Sequence, residues 1–203
     1  MKIKLHLLCI PFVFFMIFSG QIAYYAIILG ALLWHEVGHL LAAKLCGVKV
    51  KSCIIAPYGG EIEFENPTIV NEKSLLLIAL GGPIATIIGI GFAFFMPDLI
   101  AIRLITIQIV LLFFNLLPIL PLDGGRIVIA LIFIFYPNAK IYEHYHSISL
   151  FIVTAFVSIT VIYLPQSLFF VILCSFMWLQ MLKEWKYRKY RLAFEKYVMH
   201  RLT

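Results

Sequence analysis

The stretch IAYYAIILGALLWHEVGHLLAAKL, from Ile22 to Leu45, decides how the rest of the chain is read. At about 1.5 Å per residue it is long enough to cross the roughly 30 Å hydrocarbon core of a bilayer as one helix. Its middle nevertheless carries three ionisable side chains, His35, Glu36 and His39. His35 sits nine residues before Lys44, about 13 Å along the helix from that basic end. Ionisable groups inside a span are costly and mark functional sites by default. His35 and His39 are spaced i, i+4, so both imidazoles share a face and can reach one metal ion. Zinc suits imidazole and carboxylate ligands, and a catalytic zinc keeps one position open for water. Glu36, between the two histidines, can take a proton from that water.

The whole composition agrees with a membrane setting. Hydrophobic residues make up 63% of the 203 and charged residues 13%, against about half and a quarter in soluble domains. Mean hydropathy is +1.02. The polar shell of a soluble enzyme cannot be built from this inventory, and a disordered tail protein is excluded. The apolar runs predict an all-α polytopic fold with six transmembrane helices over residues 1–182. They cover residues 5–18, 22–45, 74–96, 100–136 (broken near 118–125), 147–164 and 167–182. Residues 183–203 form a basic, aromatic tail. Ser19-Gly20-Gln21 offers no small-x-small cleavage site, so the first run is read as a short span rather than a signal peptide. After the second span, Gly59-Gly60-Glu61-Ile62-Glu63-Phe64 pairs a turn signal with apolar/acidic alternation, a strand-like insertion. The four cysteines show no paired spacing, so neither a disulfide framework nor a cysteine metal site is expected.

Charge gives an orientation. With all six runs crossing, fourteen of the 16 Lys and Arg fall on the side of the N-terminus, the 44–73 loop, Lys140 and the tail. Cytosolic loops concentrate such residues, so both termini are expected in the cytosol. The tail, with Trp185, Tyr187 and Tyr190 among Lys and Arg, is read as lying on the lipid bilayer rather than on nucleic acid. His144-Tyr145-His146 is spaced i, i+2 and is read as part of a solvated loop.

A zinc ion needs a third protein ligand, and few polar residues lie within the spans. Asp123 stands out in Asn115-Leu-Leu-Pro118-Ile-Leu-Pro121-Leu-Asp123-Gly124-Gly125-Arg126. The two prolines stop the helix, and irregular backbone at membrane depth is tolerated only where it is buried or lines a wet cavity. A carboxylate there can approach the second span; the alternative is that Asp123 caps the helix that follows.

His35-Glu36-Val37-Gly38-His39, the Asn115–Arg126 stretch, Tyr58-Gly59-Gly60 and Gly81-Gly82-Pro83 together resemble the site-2 protease family of intramembrane zinc metalloproteases. The resemblance covers nearly the whole chain. The small layout and the Phe194-Glu195-Lys196-Tyr197 tail look most like its sporulation branch, that of stage IV sporulation protein FB. It implies one Zn2+ held by His35, His39 and Asp123, with Glu36 as general base. It suggests Asn115 as an oxyanion or substrate contact, beside a plain helix-packing role. It further implies a membrane-tethered substrate, the sigma factor precursor pro-sigma-K, with inhibitory membrane partners, in the mother-cell membrane around the forespore. Two features depart from the family. Its members often carry Asn where Thr86 stands, three residues after Pro83. Sporulation-branch members commonly add a nucleotide-binding domain after the sixth span, whereas this sequence ends at Thr203, so nucleotide sensing is not carried over. Independently of the resemblance, the Gly59–Phe64 stretch offers a strand edge on which an extended substrate can dock, with a solvated acidic loop as the alternative. The rival functional class is a zinc transporter, which needs no Glu between the histidines and often shows paired inverted halves; none are visible here.

Overall fold

Leucine, isoleucine and phenylalanine dominate the long runs, and in a medium without water a helix is the one local structure that satisfies its own backbone. The computed structural model describes residues 2–5, 18, 20, 22–56, 59–65, 70–136, 139–164, 171, 174–183 and 185–186. They fall into two compact units, Met1–Pro118 with Leu122–Pro137, and Ile119–Pro121 with Asn138–Thr203.

The first unit holds helices α1 (Ile22–Leu45), α2 (Glu72–Ala93), α3 (Asp98–Asn115) and α4 (Asp123–Phe135), with strands β1 (Lys2–Leu5), β2 (Val50–Ala56) and β3 (Gly59–Phe64). The second holds helix α5 (Ala139–Ile162) and a helical stretch at 174–183. Helices α1, α2 and α3, and residues 141–162 of α5, are long and apolar enough to cross a membrane. Large apolar side chains point outward along them, Ile84, Ile87, Phe92 and Phe113 among them. A soluble protein would bury that much apolar surface, whereas lipid accepts it.

The helical fold is accompanied by a three-stranded sheet in the order β1-β2-β3, of which the expected strand-like insertion is a part. β3 is the stretch whose alternation reads as strand, and it pairs antiparallel with β2 from Val50↔Phe64 to Ala56↔Gly59. The solvated-loop alternative for Gly59–Phe64 is thereby set aside. β1 pairs parallel with β2, Lys2↔Ser52 through Leu5↔Ile55. Lys2–Leu5 thus opens as strand rather than as the start of a span. The rest of the expected first span, residues 6–17, lies outside the described residues, as do residues 187–203 of the tail. α5 begins at Ala139, eight residues ahead of the apolar run, because helix hydrogen bonding continues through Lys140 and Glu143 where hydropathy stops. His144 and His146 are therefore helical, and His146 is buried, not in a solvated loop.

Small residues set the crossing of α1 and α2. A Cβ at Gly38 would meet the Gly81 carbonyl oxygen, and lie 2.5 Å from Ala85 Cβ. One at Gly81 would lie 2.6 Å from the Gly38 carbonyl oxygen and 2.8 Å from Ala42 Cβ. Gly38-x-x-x-Ala42 thus faces Gly81-x-x-x-Ala85, the small-residue pairing that lets membrane helices approach backbone to backbone. Trp34 Nε1 donates to the Ala85 carbonyl at 2.6 Å across the same seam. α3 is fitted to α2 differently: Gly89 leaves room for the buried amide of Gln108, which a Cβ there would overlap. Gln108 and Asn115 are seven residues apart and so share a face of α3.

Candidate metal centre

Close approach at Gly38 and Gly81 turns the His35–His39 face of α1 onto α2. Both imidazoles are buried, at 1% and 4% exposure. His39 Nδ1 lies 2.7 Å from the Ile78 carbonyl oxygen. A carbonyl only accepts, so Nδ1 carries the proton and Nε2 presents its lone pair. The Gly82 N–H, 3.2 Å from the same Nδ1, is then a close neighbour and not a donor to it. His35 Nδ1 lies 2.8 Å from Thr86 Oγ1, which in turn donates to the Gly82 carbonyl at 3.1 Å.

Asp123 comes from the other side. α3 ends at Asn115, and the chain resumes as helix only at Asp123, the first residue of α4, with Leu122 as N-cap. The break predicted from Pro118 and Pro121 is present. A Cβ at Gly124 would collide with the carbonyls of Leu116 and Leu117, so glycine there lets the start of α4 fold against the end of α3. Asp123 is thus the first helical residue of α4 and not its N-cap, a position held by Leu122. Its Oδ2 instead lies 2.9 Å from His35 Nε2 and 3.2 Å from His39 Nε2, and the two Nε2 atoms are 3.1 Å apart.

These three atoms form a nearly equilateral triangle. A tetrahedral zinc with bonds of about 2.0–2.1 Å holds its ligand atoms about 3.3 Å apart, so the donor set fits that ion. The floor of the triangle is Gly82: a Cβ there would meet His39 Nε2 and lie 2.5 Å from His35 Nε2. No other described group of three His, Cys, Asp or Glu side chains is spaced to hold a metal. Asn115 Nδ2 approaches His35 Nε2 at 3.5 Å, which brings an amide donor to the rim. Glu36 is buried, and its Oε2 has no hydrogen-bond partner among the described residues. Burial and the neighbouring Glu36 carboxylate push the Cys53 thiol of β2 up from its ordinary pKa.

The description Peptidase family M50 belongs to a family model that matches residues 23–101 and 98–160, most of the described helical part. The chain belongs to peptidase family M50. It is 28% identical over 122 residues to stage IV sporulation protein FB of Bacillus subtilis, covering 57% of this chain and 41% of that one. It is 33% identical over 107 residues to a zinc metalloprotease of Methanocaldococcus jannaschii, covering 48% and 31%. The chain thus spans well under half the length of these curated relatives. The fold is shared with the site-2 protease from Methanocaldococcus jannaschii, at a TM-score of 0.67, 23% identity and 90% coverage of both chains.

For an M50 peptidase the sequence brings forward His35, Glu36, His39, Asp123 and Asn115, and all five lie in the first unit. The Gly59–Phe64 stretch is in the same unit as an edge strand. What sequence reading misses is the support from α2. Gly82 is legible only as the middle of Gly81-Gly82-Pro83, and Ile78 contributes nothing but its carbonyl, which no residue type announces.

Proposed function

We propose that this M50 chain is an intramembrane zinc metalloendopeptidase, with His35, His39 and Asp123 as metal ligands and Glu36 as general base. The observation that carries it is the buried triangle, 2.9–3.2 Å on a side, of two imidazole nitrogens from a membrane-length helix and one carboxylate oxygen from α4. Zinc held by these residues would supply Lewis acidity to water and to the peptide carbonyl. Glu36 takes the proton of the attacking water and returns it to the leaving amine. Its Oε2, free of partners among the described residues, suits both steps. Asn115 is positioned to donate its amide to the oxygen that becomes negative when the peptide carbonyl is attacked.

A peptide bond in a regular helix is shielded by its own hydrogen bonds, so the substrate must be presented extended. We assign that to the outer edge of β3, which ends the sheet order and carries Gly59, Gly60, Glu61, Ile62, Glu63 and Phe64. Main-chain pairing on that edge is independent of substrate sequence, as in other strand-addition complexes. The finer reading is six spans with cytosolic termini and cleavage near the cytosolic face of a membrane-tethered precursor. The 28% identity to stage IV sporulation protein FB favours a sporulation sigma factor precursor, pro-sigma-K, as that substrate. The test is co-expression of wild type and Glu36→Gln with candidate tethered precursors. A fragment released by wild type alone supports the reading; a fragment released equally by both sinks it.

A further inference from the structure

We propose that Thr86 is a positioning residue of the metal centre, whose hydroxyl holds His35 in the one tautomer that leaves the site open to a metal ion. Proton accounting carries it. A threonine hydroxyl has one proton to give. Thr86 Oγ1 donates that proton to the Gly82 carbonyl at 3.1 Å, since the carbonyl only accepts. Toward His35 Nδ1, 2.8 Å away, the same oxygen must then accept. The proton of the neutral imidazole is thereby placed on Nδ1, and Nε2 keeps its lone pair.

The rival tautomer has a ready partner. With its proton on Nε2, His35 would donate to Asp123 Oδ2 at 2.9 Å and close the triangle on itself without a metal. In a buried site that internal hydrogen bond competes directly with the ion. Thr86, 0% exposed, tips the competition toward the metal-ready form. The Ile78 carbonyl does the same for His39. Ile78, Gly82 and Thr86 are spaced i, i+4, i+8 along α2. One face of that helix therefore supplies an acceptor for each imidazole and, between them, the bare backbone that leaves room for the ion. Partners that orient ligating imidazoles in this way are typically worth about 10–100-fold in metal affinity.

The inference rests on His35 being a ligand, and the experiment separates the two. Zinc affinity is measured by competition with a chromogenic chelator on detergent-solubilised full chain. Wild type, Thr86→Val, Thr86→Ser and His35→Ala are compared, with melting temperatures of the metal-free forms as a folding control. Valine keeps the shape and removes the acceptor, so Thr86→Val should bind zinc about 10–100-fold more weakly with an unchanged metal-free melting temperature. Thr86→Ser, which retains the hydroxyl, should stay within about threefold of wild type on the same reasoning. Wild-type affinity in a folded Thr86→Val would overturn the proposal while His35→Ala still loses zinc. Full zinc binding by His35→Ala would instead overturn the ligand assignment. Should valine prevent folding, Thr86→Ala against Thr86→Ser carries the same comparison, since both lack the methyl and only one lacks the acceptor. Equal affinities in that pair would refute it.

Discussion

Glu36 Oε2 is a buried acceptor without a partner among the described residues, and buried polar groups are rarely left so without a reason. The general-base role proposed for Glu36, which accepts a proton in each turnover, supplies one. Glu36→Gln preserves size and removes the base. It should leave one zinc per chain, by metal analysis, and lower cleavage by about 10²–10⁴-fold, the usual worth of a general base. Gly82 makes the opposite prediction. In Gly82→Ala the added methyl occupies the space beside His35 Nε2, so zinc content should fall first and activity with it. Retention of wild-type zinc by that variant would mean the ion binds elsewhere. Cys53 supplies a pH-dependent readout outside the spans. Its pKa is raised by burial and then by Glu36, so its thiolate is scarce near neutrality. Alkylation of Cys53 in folded protein should be slow at neutral pH and accelerate as pH rises past the usual thiol range. In Glu36→Gln the charge contribution is gone, and the acceleration should move to lower pH.

At the scale of elements, the α1–α2 seam decides whether the site exists. Gly38→Ala places a methyl against the Gly81 carbonyl and should cost about 1–3 kcal/mol through overpacking, read as a lower melting temperature with weakened zinc binding. On the same helix, a methyl added at Gly30 would meet nothing within 4 Å, so Gly30→Ala should be neutral or slightly stabilising. A similar loss in both variants would show that the seam is not the cause. Legibility in the sequence follows the same division. The i, i+4 histidines are readable because a helix encodes that spacing locally, and Asp123 is readable because carboxylates are scarce in apolar runs. The break of the helix at Pro118 is readable from proline chemistry alone. β1 is not: Lys2–Leu5 is four residues long and merges into an apolar run, and its partner strand lies nearly fifty residues away. The α2 contacts of the site are hidden for another reason. They are made by a carbonyl, a missing side chain and one hydroxyl, and only the approach of two backbones at Gly38 and Gly81 gives them meaning.

For the molecule as a whole, the first unit fixes which segments share a membrane face, whatever the absolute orientation. α1 ends at Leu45 and α2 begins at Glu72, with β2 and β3 between them, so Lys49, Lys51 and Lys73 lie toward one face. α2 ends at Ala93 and α3 begins at Asp98, so the Pro97 turn lies toward the other. Lysines concentrate on the cytosolic side, so the orientation proposed above puts Lys49, Lys51 and the β3 edge on the cytosolic face. β1 adds a constraint that charge counting does not: paired to β2 from Lys2 to Leu5, it ties the N-terminus to that same sheet. Single cysteines introduced at Lys49 and at Asp98, in a background lacking the native cysteines, should therefore label oppositely with a membrane-impermeant maleimide. Asp98→Cys should react in intact cells, and Lys49→Cys only in inverted vesicles. A cysteine added ahead of Lys2 should follow the Lys49 pattern. Labelling of that N-terminal cysteine in intact cells would break the β1–β2 pairing, while reversal of all three would keep the fold and invert the protein, moving substrate entry to the outer face.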